Sequence, residues 1–214
     1  MKRVTDNFKL LRELLPETPD SDTFWSIRII GRKKDNPSLE KNSKLYKSYT
    51  VACAADLDAL APKIAKCSMD NAARAYFDPT PKSWKKVSVQ MMKSLADIIG
   101  SGDYDQCYKL ADRVIGSGCS VGQRLWVVDV DEEGDVDNTI YCINQTVFEM
   151  VASTGYKQEY KMMLVPTPNG FHILSSPFDL AKFRENWSKM MPGKEQPEVK
   201  KNNPTVLYFN KFWD

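Results

Sequence analysis

Two aspartates, Asp129 and Asp131, end the otherwise apolar run Leu125–Asp131. In an extended strand alternate residues share a face. Leu125, Val127, Asp129 and Asp131 therefore line one side, and Trp126, Val128 and Val130 the other. The two carboxylates then sit roughly 7 Å apart at their Cα atoms. That spacing lets them converge on one hard cation, or bracket two metals about 4 Å apart. Two negative charges at the mouth of an apolar strand are costly without such a partner. The opposite, wholly apolar face is assigned to a helix-covered core.

The elements around this strand follow from periodicity. Asn138–Ser153 is predicted as a helix, with Ile140, Ile143, Val147 and Val151 on one face. Lys161–Val165 and Phe171–Ser175 are predicted strands, joined by Pro166–Gly170 with its hairpin chemistry. Asp179–Met190 is a helix facing inward with Leu180, Phe183 and Trp187, and Thr205–Phe209 is the last strand. The order is β-α-β-β-α-β, the split βαβ or ferredoxin-like unit also used by RNA-recognition modules. In such a sheet the first and third strands are adjacent and antiparallel. Gly170-Phe171-His172, which opens the third strand, is therefore predicted beside the end of the first. His172 is the only histidine in the chain.

The first half is predicted as a helix over Asp6–Leu15, strands over Phe24–Arg32 and Lys47–Cys53, and a helix over Asp56–Cys67 containing Pro62. A strand over Ala72–Phe77 and helices over Ser83–Ile99 and Asp103–Ile115 follow. The glycine- and serine-rich stretch Gly116–Gly122 divides the halves. The expectation is one α/β (α+β) domain, 1–214, with an N-terminal α/β module, 1–118, and an RRM-like module, 119–214.

Composition fits a globular chain. Of 214 residues, 42% are hydrophobic, and 30 basic residues against 28 acidic ones give a net charge of +2. That balance neither requires nor excludes a nucleic-acid partner. Five cysteines, at 53, 67, 107, 119 and 142, form no Cys-x-x-Cys pair. Reduced thiols and a cytoplasmic location are the expectation. The start, Met1-Lys2-Arg3, is basic but no apolar stretch follows, and no run is long enough to span a bilayer, so no membrane partner is expected. No Gly-x-Ser-x-Gly surrounds a serine, and Gly116-Ser117-Gly118 lacks the Gly-Lys-Ser/Thr ending of a Walker loop.

Leu125–Asp131, an apolar strand ending in Asp-x-Asp, resembles the first motif of the archaeo-eukaryotic primase superfamily, in its small phage or mobile-element form. Gly170-Phe171-His172 resembles the second motif, a small residue, any residue, then histidine. The third motif is a carboxylate near a later strand, where this chain offers Glu198 in place of the usual Asp. The resemblance covers about residues 120–210 and implies template-directed nucleotidyl transfer in DNA replication, with two Mg2+ or Mn2+ ions. Asp129, Asp131 and Glu198 would hold the metals, which activate a 3′-hydroxyl and offset triphosphate charge. His172 would contact the nucleotide's phosphates, helped by Thr167 and Asn169. The implied partners are a nucleoside triphosphate and a single-stranded template. Arg74, Lys200 and Lys201 are candidate phosphate or template contacts by charge alone.

Other readings fit the same residues. A strand-end Asp-x-Asp is also a common solvated turn, and a lone histidine is often structural. The domain could keep a primase-like fold and bind nucleic acid or protein without catalysis. Asp129, Asp131, Glu133, Gly134, Asp135 and Asp137 follow the start of an EF-hand calcium loop. The twelfth position, however, is Ile140 and not Glu. The blander assignment of Glu132–Asp137 is an acidic turn capping the next helix, with Asp137 or Asn138 as N-cap.

Overall fold

A computed structural model describes residues 4–154 and 159–210; Met1-Lys2-Arg3 lies outside them. The elements in chain order begin with β1 (Val4–Asp6), α1 (Phe8–Arg12), β2 (Thr23–Arg32), β3 (Ser43–Val51) and α2 (Ala54–Asp70). Next come β4 (Arg74–Phe77), β5 (Lys82–Ser83), α3 (Trp84–Ser101) and α4 (Leu110–Gly116). The remainder is β6 (Trp126–Val130), α5 (Val136–Thr154), β7 (Met162–Pro166), β8 (Phe171–Ser175), α6 (Leu180–Met190), β9 (Glu198–Lys200) and β10 (Thr205–Asn210). The fold is mixed α+β. Contacts divide it into two compact units, Met1–Arg124 with Val206–Asp214, and Leu125–Thr205. The division falls after Arg124, just beyond the stretch Gly116–Gly122.

In the first unit the sheet order is β1-β10-β4-β2-β3, with β5 paired to β2. The long strand β2 is rich in Ile and aromatic residues, and Phe24, Ile27 and Ile29 are buried. Helix α2 runs through Pro62. The stretch predicted as one helix over Asp103–Ile115 is a 3-10 turn, Tyr104–Lys109, followed by α4. Residues 104–109 bury nothing, so no apolar stripe stabilises an α-helical turn there.

In the second unit β6, α5, β7, β8, α6 and β9 follow the β-α-β-β-α-β order, and the sheet runs β7-β8-β6-β9. Taken in order of appearance, the strands lie 2-3-1-4, so the first and third are central neighbours. Val128, Val130 and Ile173 pack against Ile143 of α5 and Phe183 and Trp187 of α6. Each large side chain buried there contributes roughly 1.5–3 kcal/mol. Asp179 caps α6, its carboxylate accepting from the Ala181 and Lys182 amides at 2.8 and 3.1 Å.

One strand assignment changes. Thr205–Phe209 is not the fourth strand of the second sheet. It is the core of β10, which lies between β1 and β4 in the first sheet. Residues 205–209 are all buried, which suits an interior strand and not an edge. The fourth place goes to β9, a short edge strand whose polar Glu-Val-Lys alternation suits an edge.

A buried ion pair holds the first unit. Arg74 donates from Nε and Nη2 to the Asp35 carboxylate, both at 2.7 Å, and the two side chains are 7% and 9% exposed. The guanidinium also lies over Phe209, 4.9 Å from the ring centroid. Arg74→Met leaves Asp35 buried and uncompensated, which should destabilise the protein by about 3–5 kcal/mol in urea unfolding. Adding Asp35→Asn should recover at least half of that loss. A single-variant loss below about 1 kcal/mol contradicts the assignment.

Candidate active site on the second sheet

The register across the second sheet places four residues on one rung. Val165 is opposite His172, His172 opposite Asp129, and Asp129 opposite Glu198. Directly opposed residues in antiparallel strands share a face, with Cα atoms about 5 Å apart. Val128 and Val130 point to the helices. Asp129, His172 and Glu198 therefore stand on the opposite face. Val127 and Leu174, the next rung on that face, are buried, as is Val165.

Polar contacts run in a file along this face. His172 Nδ1 lies 2.9 Å from the hydroxyl of Thr205, which is wholly buried. His172 Nε2 is 3.5 Å from Asp129 Oδ1, an ion-pair distance at the long end for a hydrogen bond. A carboxylate only accepts, so a hydrogen bond across this gap requires the Nε2–H form of the ring. Lys200 Nζ donates to Asp129 Oδ2 at 2.6 Å and reaches Glu198 Oε2 at 3.0 Å. Strand alternation puts Glu198 and Lys200 on the same side of β9, which lets one ammonium bridge both carboxylates.

This setting shifts the ionisation of Asp129. His172 beside it holds the Asp129 carboxyl well below the usual carboxylate range; burial works against this, and Lys200 adds to it. Burial disfavours the charge on Lys200, but its bonds to Asp129 and Glu198 outweigh that and raise its pKa. Asp129 is 25% exposed, so its charge is only partly solvated.

The small residue before Phe171-His172 has a steric basis. A Cβ on Gly170 would lie 2.2 Å from the Val130 carbonyl oxygen and 2.9 Å from Asp131 Cα. The end of β6 approaches Gly170 too closely for any side chain. The hairpin before it is closed by the Thr167 amide donating to the Gly170 carbonyl at 2.8 Å, and the Gly170 amide donating to Thr167 Oγ1 at 3.1 Å.

The structure thus brings Asp129, His172, Glu198 and Lys200 together. Glu198 opens β9. Asp131 follows the last residue of β6 and is exposed. Thr167 is engaged in the hairpin, and Asn169 is exposed at its tip. Lys201 lies over Trp126, 5.0 Å from the ring centroid, away from the rung. Arg74 belongs to the first unit, where Asp35 holds its guanidinium. Thr205, which holds His172, carried no motif signal. Lys200, a candidate phosphate contact by charge, pairs here with the Asp129 and Glu198 carboxylates.

Among the described residues no three acidic, histidine or cysteine side chains already converge as a ligand cluster. Asp129 and Glu198 share the Lys200 ammonium. The acidic stretch after β6 forms a 3-10 turn, Glu133–Asp135, and then α5. Asp135 there pairs with Lys194, so Asp129 and Asp135 answer to different cations. Helix α5 starts at Val136, ahead of both proposed capping residues.

Gly170→Ala should lower stability by at least about 2 kcal/mol in urea unfolding, because the close contact is with backbone. Gly134→Ala meets nothing within 4 Å and should change stability by less than about 0.5 kcal/mol. Equal effects would contradict the close approach. Asp129 also sets an acid dependence. Its folded pKa is lowered, so its stabilisation is complete above the unfolded value of about 3.9 and fades as pH falls below it. Asp129→Asn should flatten the stability profile below about pH 5, and an unchanged slope would refute the coupling.

Comparison with protein-family models, with curated proteins and with solved structures finds no match for this chain.

Proposed function

We propose that Leu125–Thr205 is the catalytic module of a primase-like nucleotidyltransferase that extends a strand on a single-stranded template. The observation that carries this reading is the shared rung of Asp129, His172 and Glu198. The three come from separate segments, and they correspond in order to the three motifs of the resembled family. The steric demand for glycine at 170 supports the second motif's small residue.

The donor set suits a hard divalent cation. Asp129 and Glu198 already share one positive charge, and exposed Asp131 adds a third carboxylate at the mouth of the strand. Mg2+ or Mn2+ held by Asp129, Asp131 and Glu198 would supply Lewis-acid activation of the attacking hydroxyl and neutralise triphosphate charge. The remaining work belongs to this chain. Thr205 fixes the His172 ring through Nδ1, so that its Nε2 edge stays beside the carboxylate and can donate to a phosphate oxygen. Lys200, released from the carboxylates, offers its ammonium to the triphosphate. Buried Val127, Val165 and Leu174 keep water from one side of the rung and strengthen these interactions.

The test is incorporation of labelled nucleotides on primed and unprimed single-stranded templates with Mg2+ or Mn2+. The full chain should give product, and Asp129→Asn should reduce the rate by about 100-fold or more. Wild-type protein that neither incorporates nor binds nucleotide overturns the reading.

A second reading, nucleic-acid binding without catalysis, is favoured by one observation: Lys200 already neutralises both Asp129 and Glu198. Lys200→Met separates the two. In the enzyme the variant should bind Mn2+ about tenfold tighter by calorimetry, because a competing charge is gone. In the binding-only protein neither form takes up Mn2+.

A further inference from the structure

We propose that the first unit carries a groove for single-stranded nucleic acid, on the outer edge of β3. Strand β3 ends the sheet order. It faces the 3-10 turn Tyr104–Lys109 and the start of α4 across a groove of about 1170 Å3. Lys44, Tyr46 and Lys47 line it from β3, Tyr108 and Lys109 from the turn, and Arg113 from α4. With Lys41 the lining holds five cations, against the three acids Glu40, Asp105 and Asp112. The balance is positive although the chain as a whole is nearly neutral.

The tyrosines decide the class of ligand. Lys44 Nζ lies over Tyr46, 4.9 Å from the ring centroid, and Lys109 Nζ over Tyr108 at 4.8 Å. Each pair presents a ring and a cation together. Tyr108 is 76% exposed and adds little to any core. Tyr46 has a built seat: a Cβ on Gly31 would lie 2.8 Å from its Cε2 atom, so the ring packs down on bare backbone. Arg113 is held along the wall by its bond to Gln106 at 2.9 Å.

Bases stack on such rings while lysines beside them meet the phosphates, and this combination needs no particular sequence. An acidic peptide would use the cations and leave the rings idle. A duplex hides its base faces and cannot stack. The groove's binding does not depend on chemistry at Asp129. DNA and RNA single strands share the chemistry that it recognises.

The experiment is fluorescence anisotropy of the full chain with labelled dT20 and rU20. Affinity for at least one of them should fall with salt, with a log–log slope near −0.7 for each phosphate neutralised. Lys44→Glu with Lys109→Glu should weaken binding at least tenfold, and Tyr108→Ala about tenfold. All three residues are exposed, and circular dichroism checks that the variants melt as the wild type does. Lys63→Glu, at an exposed lysine of α2 outside the groove, should bind as tightly as wild type. The preference between dT20 and rU20 assigns the natural strand. Unchanged affinity in the variants overturns the proposal. So does a duplex of the same sequence that binds as tightly as the single strand, or polyglutamate that competes charge for charge.

Discussion

A carboxylate in the middle of a sheet must be compensated, and much of the second unit is arranged around that constraint. Asp129 lies in a central strand, on the face turned away from the helices, beside buried valine and leucine side chains. Left alone there, its charge would face a large desolvation penalty. His172 from β8 and Lys200 from β9 meet it from the two neighbouring strands. Compensation therefore ties three strands to one side chain. Thr205 then fixes the histidine, so the chemistry of one residue organises its neighbours on both sides.

The same arrangement makes the site responsive. The ammonium of Lys200 stabilises two carboxylates that would otherwise repel each other. Under the proposed function, a metal that enters would displace it and leave the lysine for another anion. Breaking a partly buried pair is costly only while no better partner arrives. The carboxylates, the lysine and the histidine thus form one coupled charge system, and no single residue in it can be assigned an independent energy.

Much of this was legible in the sequence because it rests on short-range pattern. Alternation along Leu125–Asp131 separates the valines from the aspartates, and the β-α-β-β-α-β order brings His172 beside Asp129. The packing of Ile143, Phe183 and Trp187 follows from helical spacing. Other features were not legible because they depend on which partner a strand chooses. Thr205–Asn210 is apolar enough for either sheet, and its neighbours β1 and β4 come from the first half of the chain. Glu198–Lys200 is too short and polar to announce itself as a strand, although its pairing with β6 puts Glu198 opposite Asp129. Arg74 could not be recognised as a buried structural cation, because its partner Asp35 lies in a distant polar loop.

The proposed function makes Asp129 and Glu198 a cation site in which Lys200 stands in for the metal. The most direct test is a crystal structure of the protein soaked in Mn2+, with anomalous scattering recorded. An anomalous peak is expected between the Asp129 and Glu198 carboxylates, with the Lys200 ammonium moved away. A map with no peak there, and Lys200 still bridging the two carboxylates, would contradict it.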